Sequence, residues 1–296
     1  MTIKSVGVFG CGVMGQGIAR ASAGAGLRTI LYKVTPGTFV ATRSKFEDGL
    51  EREVEKGRLS KESRATILAN LTWMTHSTEN FEDCDLLIES VVEDVSMKEQ
   101  LFRVLDGMAK PGTIFASNTS TFSIMEFAYQ TTRYKHFVGL HFFNPVSAMK
   151  LVEVVQTSHV EAGVMEEAQS FVRLLGKTPV VVLDSPGFLV NRLLTPLLLD
   201  AIRVFESGIA SMESIDQSMK LGCNHPMGPL ELCDYIGLDI VMAMAMNLYS
   251  KLREERFAPP KLLCHMVATA MLGRKTKSGF YDYTVDPKRP NFVQHL

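Results

Sequence analysis

An α/β fold is predicted for this chain: a doubly wound, mainly parallel sheet carrying an inserted helical hairpin, followed by an all-α second domain. Three observations predict it. The chain opens on an apolar run, a glycine-rich turn and a helical pattern. Short apolar runs then alternate with helical patterns as far as residue 183, as they do where strands are joined by crossover helices. Beyond Asp184-Ser185-Pro186-Gly187, a cap followed by a breaker, the strand signals nearly vanish.

The first element is the most informative. Val6 to Gly10 reads as a strand, Gln16 to Ala21 as the start of a helix, and between them stands Gly10-Cys11-Gly12-Val13-Met14-Gly15. In such a unit the first glycine permits the tight turn and the second lets backbone amides approach a pyrophosphate. The third lets the helix lie close to the strand, with its positive N-terminus toward the phosphates. This is the Rossmann-type arrangement, so the chain is expected to bind a dinucleotide through Gly10, Gly12, Val13, Met14 and Gly15.

The remaining strand-like runs are Thr29 to Tyr32, Leu86 to Ser90, Thr113 to Ser117, Phe137 to Phe142, Leu151 to Gln156 and Val180 to Leu183. The first crossover is interrupted by a charged stretch, Arg43 to Asn70, whose apolar positions recur at helical spacing; it predicts a helical hairpin over about 40–70. The Asp184 to Gly187 signal divides the chain into 1–184 and 185–296. In the second part Phe188 to Ser207 and Leu238 to Leu252 read as helices. Phe188 to Leu199 is apolar on nearly every face, which suits either a core or a subunit interface and leads to the expectation of a homodimer. Asp286 to Leu296, with two prolines, reads as a loose terminus.

Composition bounds the function. Of 296 residues 46% are hydrophobic, and Lys+Arg 31 against Asp+Glu 32 leaves a net charge of -1, so no global basic field exists to gather nucleic acid or anionic lipid. The five cysteines form no CxxC pair and have no histidines at zinc spacing; they read as reduced thiols, and no metal site is expected. The chain enters a strand almost at once, without a charged and then apolar leader, and no apolar stretch reaches the ~18 residues of a membrane span. A cytoplasmic protein is the expectation.

The chemistry is expected from two facing strands. His141 ends Phe137-Val138-Gly139-Leu140-His141-Phe142, Glu153 lies within Leu151-Val152-Glu153-Val154-Val155, and Asn144-Pro145 supplies a turn between them. A hairpin centred on Ser147 sets the two residues opposite each other, with Cβ atoms ~4.5 to 5.5 Å apart. A glutamate among Val and Leu is costly to bury unpaired, and a carboxylate beside an imidazole makes it a general base. Ser117-Asn118-Thr119-Ser120 ends another strand, at the edge where open α/β sheets bind ligands.

Ser117-Asn118-Thr119-Ser120, His141-Phe142-Phe143-Asn144-Pro145, Lys150-Leu151-Val152-Glu153-Val154, Pro186-Gly187-Phe188-Leu189-Val190-Asn191-Arg192 and Pro226-Met227-Gly228-Pro229 together resemble, in order, the signature blocks of the 3-hydroxyacyl-CoA dehydrogenases. The short bacterial 3-hydroxybutyryl-CoA dehydrogenases look most similar, from Ser5 to about Tyr283. The resemblance implies that His141 is the acid/base on the substrate 3-oxygen, that Glu153 orients its imidazole, and that Ser120 and Asn191 hydrogen-bond the substrate. It implies cofactor contacts at the Gly10 to Gly15 loop, Glu93, Lys98, Ser120, Asn144 and Lys275, and an acyl-CoA held by the hairpin, where Arg52 and Lys56 are the candidate contacts.

The chain departs from that pattern at two places. At the end of the second strand, where the family carries an acidic residue for the adenine ribose, Leu31-Tyr32-Lys33 puts a lysine. The reversal of charge leads to the expectation of NADP, or of both NADP and NAD. In Gly273-Arg274-Lys275-Thr276-Lys277-Ser278-Gly279, Lys277 stands where relatives often have glycine. Two other readings share parts of this pattern: a 3-hydroxy acid dehydrogenase that does not use CoA, and a non-catalytic protein that has borrowed the fold.

Overall fold

The computed structural model describes residues 3–35, 37–75, 81–286 and 288–291, and the chain forms two compact units, Met1–Phe188 and Leu189–Leu296. In the first unit β1 (Ser5–Phe9) leads into α1 (Val13–Gly24) and β2 (Arg28–Lys33). The hairpin follows as α2 (Val40–Glu55) and α3 (Lys61–Asn70), then β3 (Leu71–Thr75) and β4 (Leu86–Glu89). Next come α4 (Val95–Met108), β5 (Ile114–Ser117), α5 (Ile124–Ala128), β6 (Phe137–Phe142), β7 (Leu151–Gln156), α6 (Ala162–Leu174) and β8 (Thr178–Leu183). The strands form one sheet in the order β3-β2-β1-β4-β5-β6-β7-β8, parallel throughout except where β6 meets β7.

Burial on both faces explains why the central strands β1, β4, β5 and β6 read as continuous apolar runs. Val6, Val8, Leu86, Ile88, Ile114, Ala116, Val138 and Leu140 point into one layer with α1 and α6; Phe9, Leu87, Phe115 and Phe137 point into the other with α4 and α5. The sheet order reverses between β1 and β4, and ligands of such sheets settle outside the carboxyl ends of the strands at that point. Because β7 runs antiparallel, its first residues lie at the same edge as the last residues of β6.

Four details differ from the sequence-based expectation. A strand was not expected at Leu71–Thr75; it is short, and it continues from α3 without a breaker. Its Trp73 is the anchor of the hairpin, packed against Phe39 and Phe46. The last strand begins at Thr178 rather than Val180, because β8 lies at the sheet edge, where Pro179 costs no ladder bond on the outer side. The units part after Phe188, not after Asp184: Asp184 is fastened to the first unit by Ser123 Oγ at 2.7 Å and Met125 N at 2.9 Å, and Phe188 is buried among the aromatic residues of that unit. The helix expected from Phe188 therefore starts at Val190.

The second unit comprises α7 (Val190–Glu206), α8 (Met212–Gly222), α9 (Pro229–Ile236), α10 (Leu238–Leu252) and α11 (Lys261–Ala268). They enclose a core of Leu198, Ile202, Leu230, Val241, Leu263 and Phe280. Among the described residues no single helix is long and apolar enough to cross a membrane.

Candidate active site

The three glycines after β1 have three different environments. Gly10 has φ +120°, and a Cβ on it would collide with the Ser90 carbonyl; a Cβ on Gly15 would collide with the Gly10 carbonyl, so the close passage of α1 over β1 depends on its absence. Around Gly12 a Cβ would meet nothing within 4 Å. Nothing in the packing of the protein requires that glycine, whereas a phosphate approaching the backbone does. Gly12 is also the N-cap of α1, with no side-chain cap bond and no acidic residue in the first turn; Val13 is exposed there and Met14 half-buried. An uncapped, open helix start of this kind fits the pyrophosphate of a dinucleotide.

Lys33 ends β2 where expected, and its amine donates to the carbonyl (2.8 Å) and hydroxyl (3.0 Å) of Thr35. The cation therefore folds back over the loop that follows β2.

The ends of β4 and β5 are joined by a buried charge network. Glu89, the last residue of β4 and 0% exposed, accepts from Lys98 Nζ at 2.6 Å, Val91 N at 2.7 Å and Ser117 Oγ at 2.6 Å. Lys98, 1% exposed on α4, also meets Glu93 at 3.0 Å. The other Glu93 oxygen accepts from the Thr119 hydroxyl, from Thr121 Oγ1 at 2.7 Å and from Ser120 N at 3.2 Å. Burial works against ionising Glu93, yet the Lys98 charge and these hydrogen bonds prevail and lower its pKa. The Lys98 amine is held between these two carboxylates. Glu93 in turn fixes the turn that presents the half-buried Ser120.

The β6/β7 register pairs His141 with Glu153, and His141 Nδ1 lies 2.6 Å from Glu153 Oε2. Glu153 is fully buried and His141 nearly so. A carboxylate accepts only, so in the neutral imidazole Nδ1 carries the hydrogen and Nε2 the lone pair. The imidazole ring lies 4.5 Å from the ring of Phe143 and 5.5 Å from that of Phe188, centroid to centroid. Asn118 ties β5 to β6 by accepting from Phe142 N at 2.9 Å. Exposed Asn144 follows on the connecting loop, which Lys177 holds by donating to the carbonyls of Val146 (2.5 Å) and Met149 (2.6 Å).

The other sequence candidates stand on the hairpin and in the second unit. On the hairpin Arg43 pairs with Glu47 and Arg64 with Glu51, while Arg52 donates to the Asp48 carbonyl at 3.2 Å. Neither Arg52 nor Lys56, the C-cap of α2, has a carboxylate partner among the described residues. In the second unit Asn191 stands in the first turn of α7, and Lys275 is ion-paired with Asp239. Lys277 keeps its turn by adopting φ +58°, the left-handed conformation that favours glycine.

Sequence reasoning missed Glu89, Thr121 and Lys177, and it placed Thr119 at the ligand edge without its bond to Glu93. Glu89 left one usable signal, an acid closing the apolar run Leu86-Leu87-Ile88. Thr121 and Lys177 left none, because their partners are remote in sequence.

The edge therefore offers a phosphate cradle, a fixed turn bearing a hydroxyl, and an imidazole on a buried carboxylate. Comparison with known proteins agrees with it. Residues 5–185 match the 3-hydroxyacyl-CoA dehydrogenase NAD binding domain, and residues 187–283 match the 3-hydroxyacyl-CoA dehydrogenase C-terminal domain. The chain is 42% identical to a 3-hydroxybutyryl-CoA dehydrogenase of Clostridioides difficile over 93% of its length and 98% of the relative's. It is likewise 42% identical to the mitochondrial hydroxyacyl-coenzyme A dehydrogenase of Rattus norvegicus, over 95% and 91% of the two chains. A solved (S)-3-hydroxybutyryl-CoA dehydrogenase from Ralstonia eutropha superposes with a TM-score of 0.90 at 38% identity, covering 95% of this chain and 99% of that one. With both of its units matched in order and along nearly all their length, the chain belongs to the 3-hydroxyacyl-CoA dehydrogenase family.

Proposed function

We propose that this protein catalyses the reversible, nicotinamide-dependent oxidation of a 3-hydroxyacyl-CoA, first of all 3-hydroxybutyryl-CoA, to the 3-oxoacyl-CoA. The observation that carries the reading is the His141–Glu153 pair at the edge of the sheet that also bears the glycine loop. When bound, the nicotinamide accepts or donates the hydride at substrate C3. His141 Nε2 takes the proton of the 3-hydroxyl in oxidation and returns it to the developing alkoxide in reduction. Glu153 holds the tautomer this requires and stabilises the imidazolium that forms. Ser120 hydrogen-bonds the reacting oxygen. The roles of Asn191 toward substrate, and of Asn144 and Lys275 toward cofactor, rest on the family resemblance. Arg52 and Lys56, without a carboxylate partner among the described residues, support a place for the CoA nucleotide on the hairpin.

The cofactor is NADP, or both NADP and NAD. Lys33 stands where a carboxylate would serve the adenine ribose, and a cation 4 Å from a 2′-phosphate gains up to about 4 kcal/mol before desolvation. The free thiols support a cytoplasmic location, and exposed Leu193, Ile240 and Met246 support a homodimer.

Acetoacetyl-CoA reduction assayed with NADPH and with NADH, beside oxidation of free 3-hydroxybutyrate and its CoA thioester, tests both levels. Turnover of the thioester with little of the free acid is expected, as is kcat/KM with NADPH at least equal to that with NADH. Lys33→Asp should move the preference toward NADH by about tenfold or more. A strong NADH preference in the unmodified protein rejects the cofactor assignment, and equal use of free acid and thioester rejects the CoA.

A further inference from the structure

We propose that Phe188 is a positioning residue for His141: its ring, placed by a left-handed backbone, forms with Phe143 an aromatic clasp that keeps the imidazole on Glu153. Phe188 has φ +48° directly after Gly187 at φ +75°, and it is 3% exposed. For a bulky residue that conformation is an outlier, because its Cβ crowds the following carbonyl. It persists only where the surroundings impose it. Here they do: Phe188 N donates to the Ser185 carbonyl at 2.9 Å, and Asp184, at the start of the turn, is fixed by Ser123 Oγ, Met125 N and its own N–H to the Gln156 carbonyl at 2.9 Å.

What the strain achieves is the position of the ring. A phenylalanine needed only to fill the apolar layer could do so from an ordinary backbone. This one lies 5.5 Å from the His141 ring at an interplanar angle of 53°, and Phe143 lies 4.5 Å from it at 52°. The hydrogen bond to Glu153 fixes one edge of the imidazole but leaves the ring free to tilt about that bond. Two uncharged rings restrict the tilt and keep water from the Nδ1–Oε2 bond. Glu153 is the charged group that faces the imidazole, and neighbouring β5 presents Ser117 beside Gly139.

The inference rests on the acid/base role proposed for His141, and its test separates the two. Phe188→Leu keeps a large apolar side chain, and Phe143→Leu alters a half-buried ring. For each variant in the full chain, kcat and KM are measured, and the His141 Nδ1–H proton resonance is followed in 15N-labelled protein. The expected result is a broadened, solvent-exchanging Nδ1–H signal, with kcat down about tenfold and the KM for acetoacetyl-CoA within about twofold. A signal as sharp as in the unmodified protein in both variants overturns the inference, whatever happens to turnover. A lost signal with unchanged kcat upholds the clasp and removes the acid/base role from His141.

Discussion

The two units bury their charges in opposite ways. In the Met1–Phe188 unit the buried acids face basic side chains: Glu89 meets the Lys98 amine, and Glu153 meets the His141 imidazole. In the Leu189–Leu296 unit the buried acids face neutral donors. Asp216 accepts from Leu230 N (2.8 Å), Glu231 N (3.0 Å) and the Tyr281 hydroxyl (2.8 Å); Asp234 accepts from Phe280 N and Tyr281 N (2.9 Å each) and from the Tyr283 hydroxyl (3.1 Å). Gly228 and Gly279 leave room for these carboxylates, since a Cβ on either would collide with one. The lesson is a division of labour. A buried ion pair is a costly way to hold a fold, so its presence beside the ligand edge points to positioning, whereas amide-bound aspartates splice helix starts and turns together.

The largest effect should come from the pair with a chemical task. His141→Gln is expected to lower kcat by ~10² to 10⁴ while cofactor affinity, measured by fluorescence titration, stays nearly unchanged. Near-normal turnover would reduce the pair to another structural contact and erase the contrast between the units.

Next comes the ion pair itself. Lys98→Met strands Glu89 without its cation and should cost about 3 to 5 kcal/mol in urea unfolding. Asp234→Asn leaves only dipoles behind and should cost about 1 to 3 kcal/mol. The double variant Glu89→Gln with Lys98→Met should recover most of the stability but not the activity, because Glu93 still lacks the charge that anchors the turn of Ser120. Full recovery of both would show the network to be scaffolding.

The smallest effect lies in pH dependence, where the units should differ in sign. Burial is the main cause that raises Asp234 to about 6, only partly offset by its amide and tyrosine donors. The folded state then binds more protons than the unfolded state between about pH 4 and 6, so this contribution is fully present below that window and is lost as pH rises through it. Asp216 is shifted in the same direction, also by burial. Glu93, shifted down, contributes stability above the ordinary carboxylate pKa that is lost on acidification. Thermal unfolding of the unmodified protein and of Asp234→Asn across pH 4 to 7 should therefore show a stability gap that narrows as pH rises. A gap that widens would place Asp234 with the cation-paired acids of the first unit.

What was legible in the sequence was whatever local pattern or short-range register controls. The glycine loop is six consecutive residues, and three separate constraints on it could be stated before any coordinates. The facing of His141 and Glu153 follows from strand periodicity and one turn, since the two-residue repeat sets which face is buried and the turn sets the register. The hairpin's helices announced themselves by spacing, whereas β3 did not, because a five-residue strand continuing from a helix carries too few repeats to show its period.

The sequence by itself thus determined the fold class, the nucleotide loop and the imidazole with its carboxylate, because each is encoded within a span that local backbone geometry closes. Only the tertiary structure decided that Lys98 is sealed between Glu89 and Glu93, that the turn of Ser120 hangs from Glu93, and that Phe188 reaches the His141 ring. Those contacts join residues from separate strands and loops, and burial and charge pairing between remote segments come into being only when the sheet brings its strand ends to one edge.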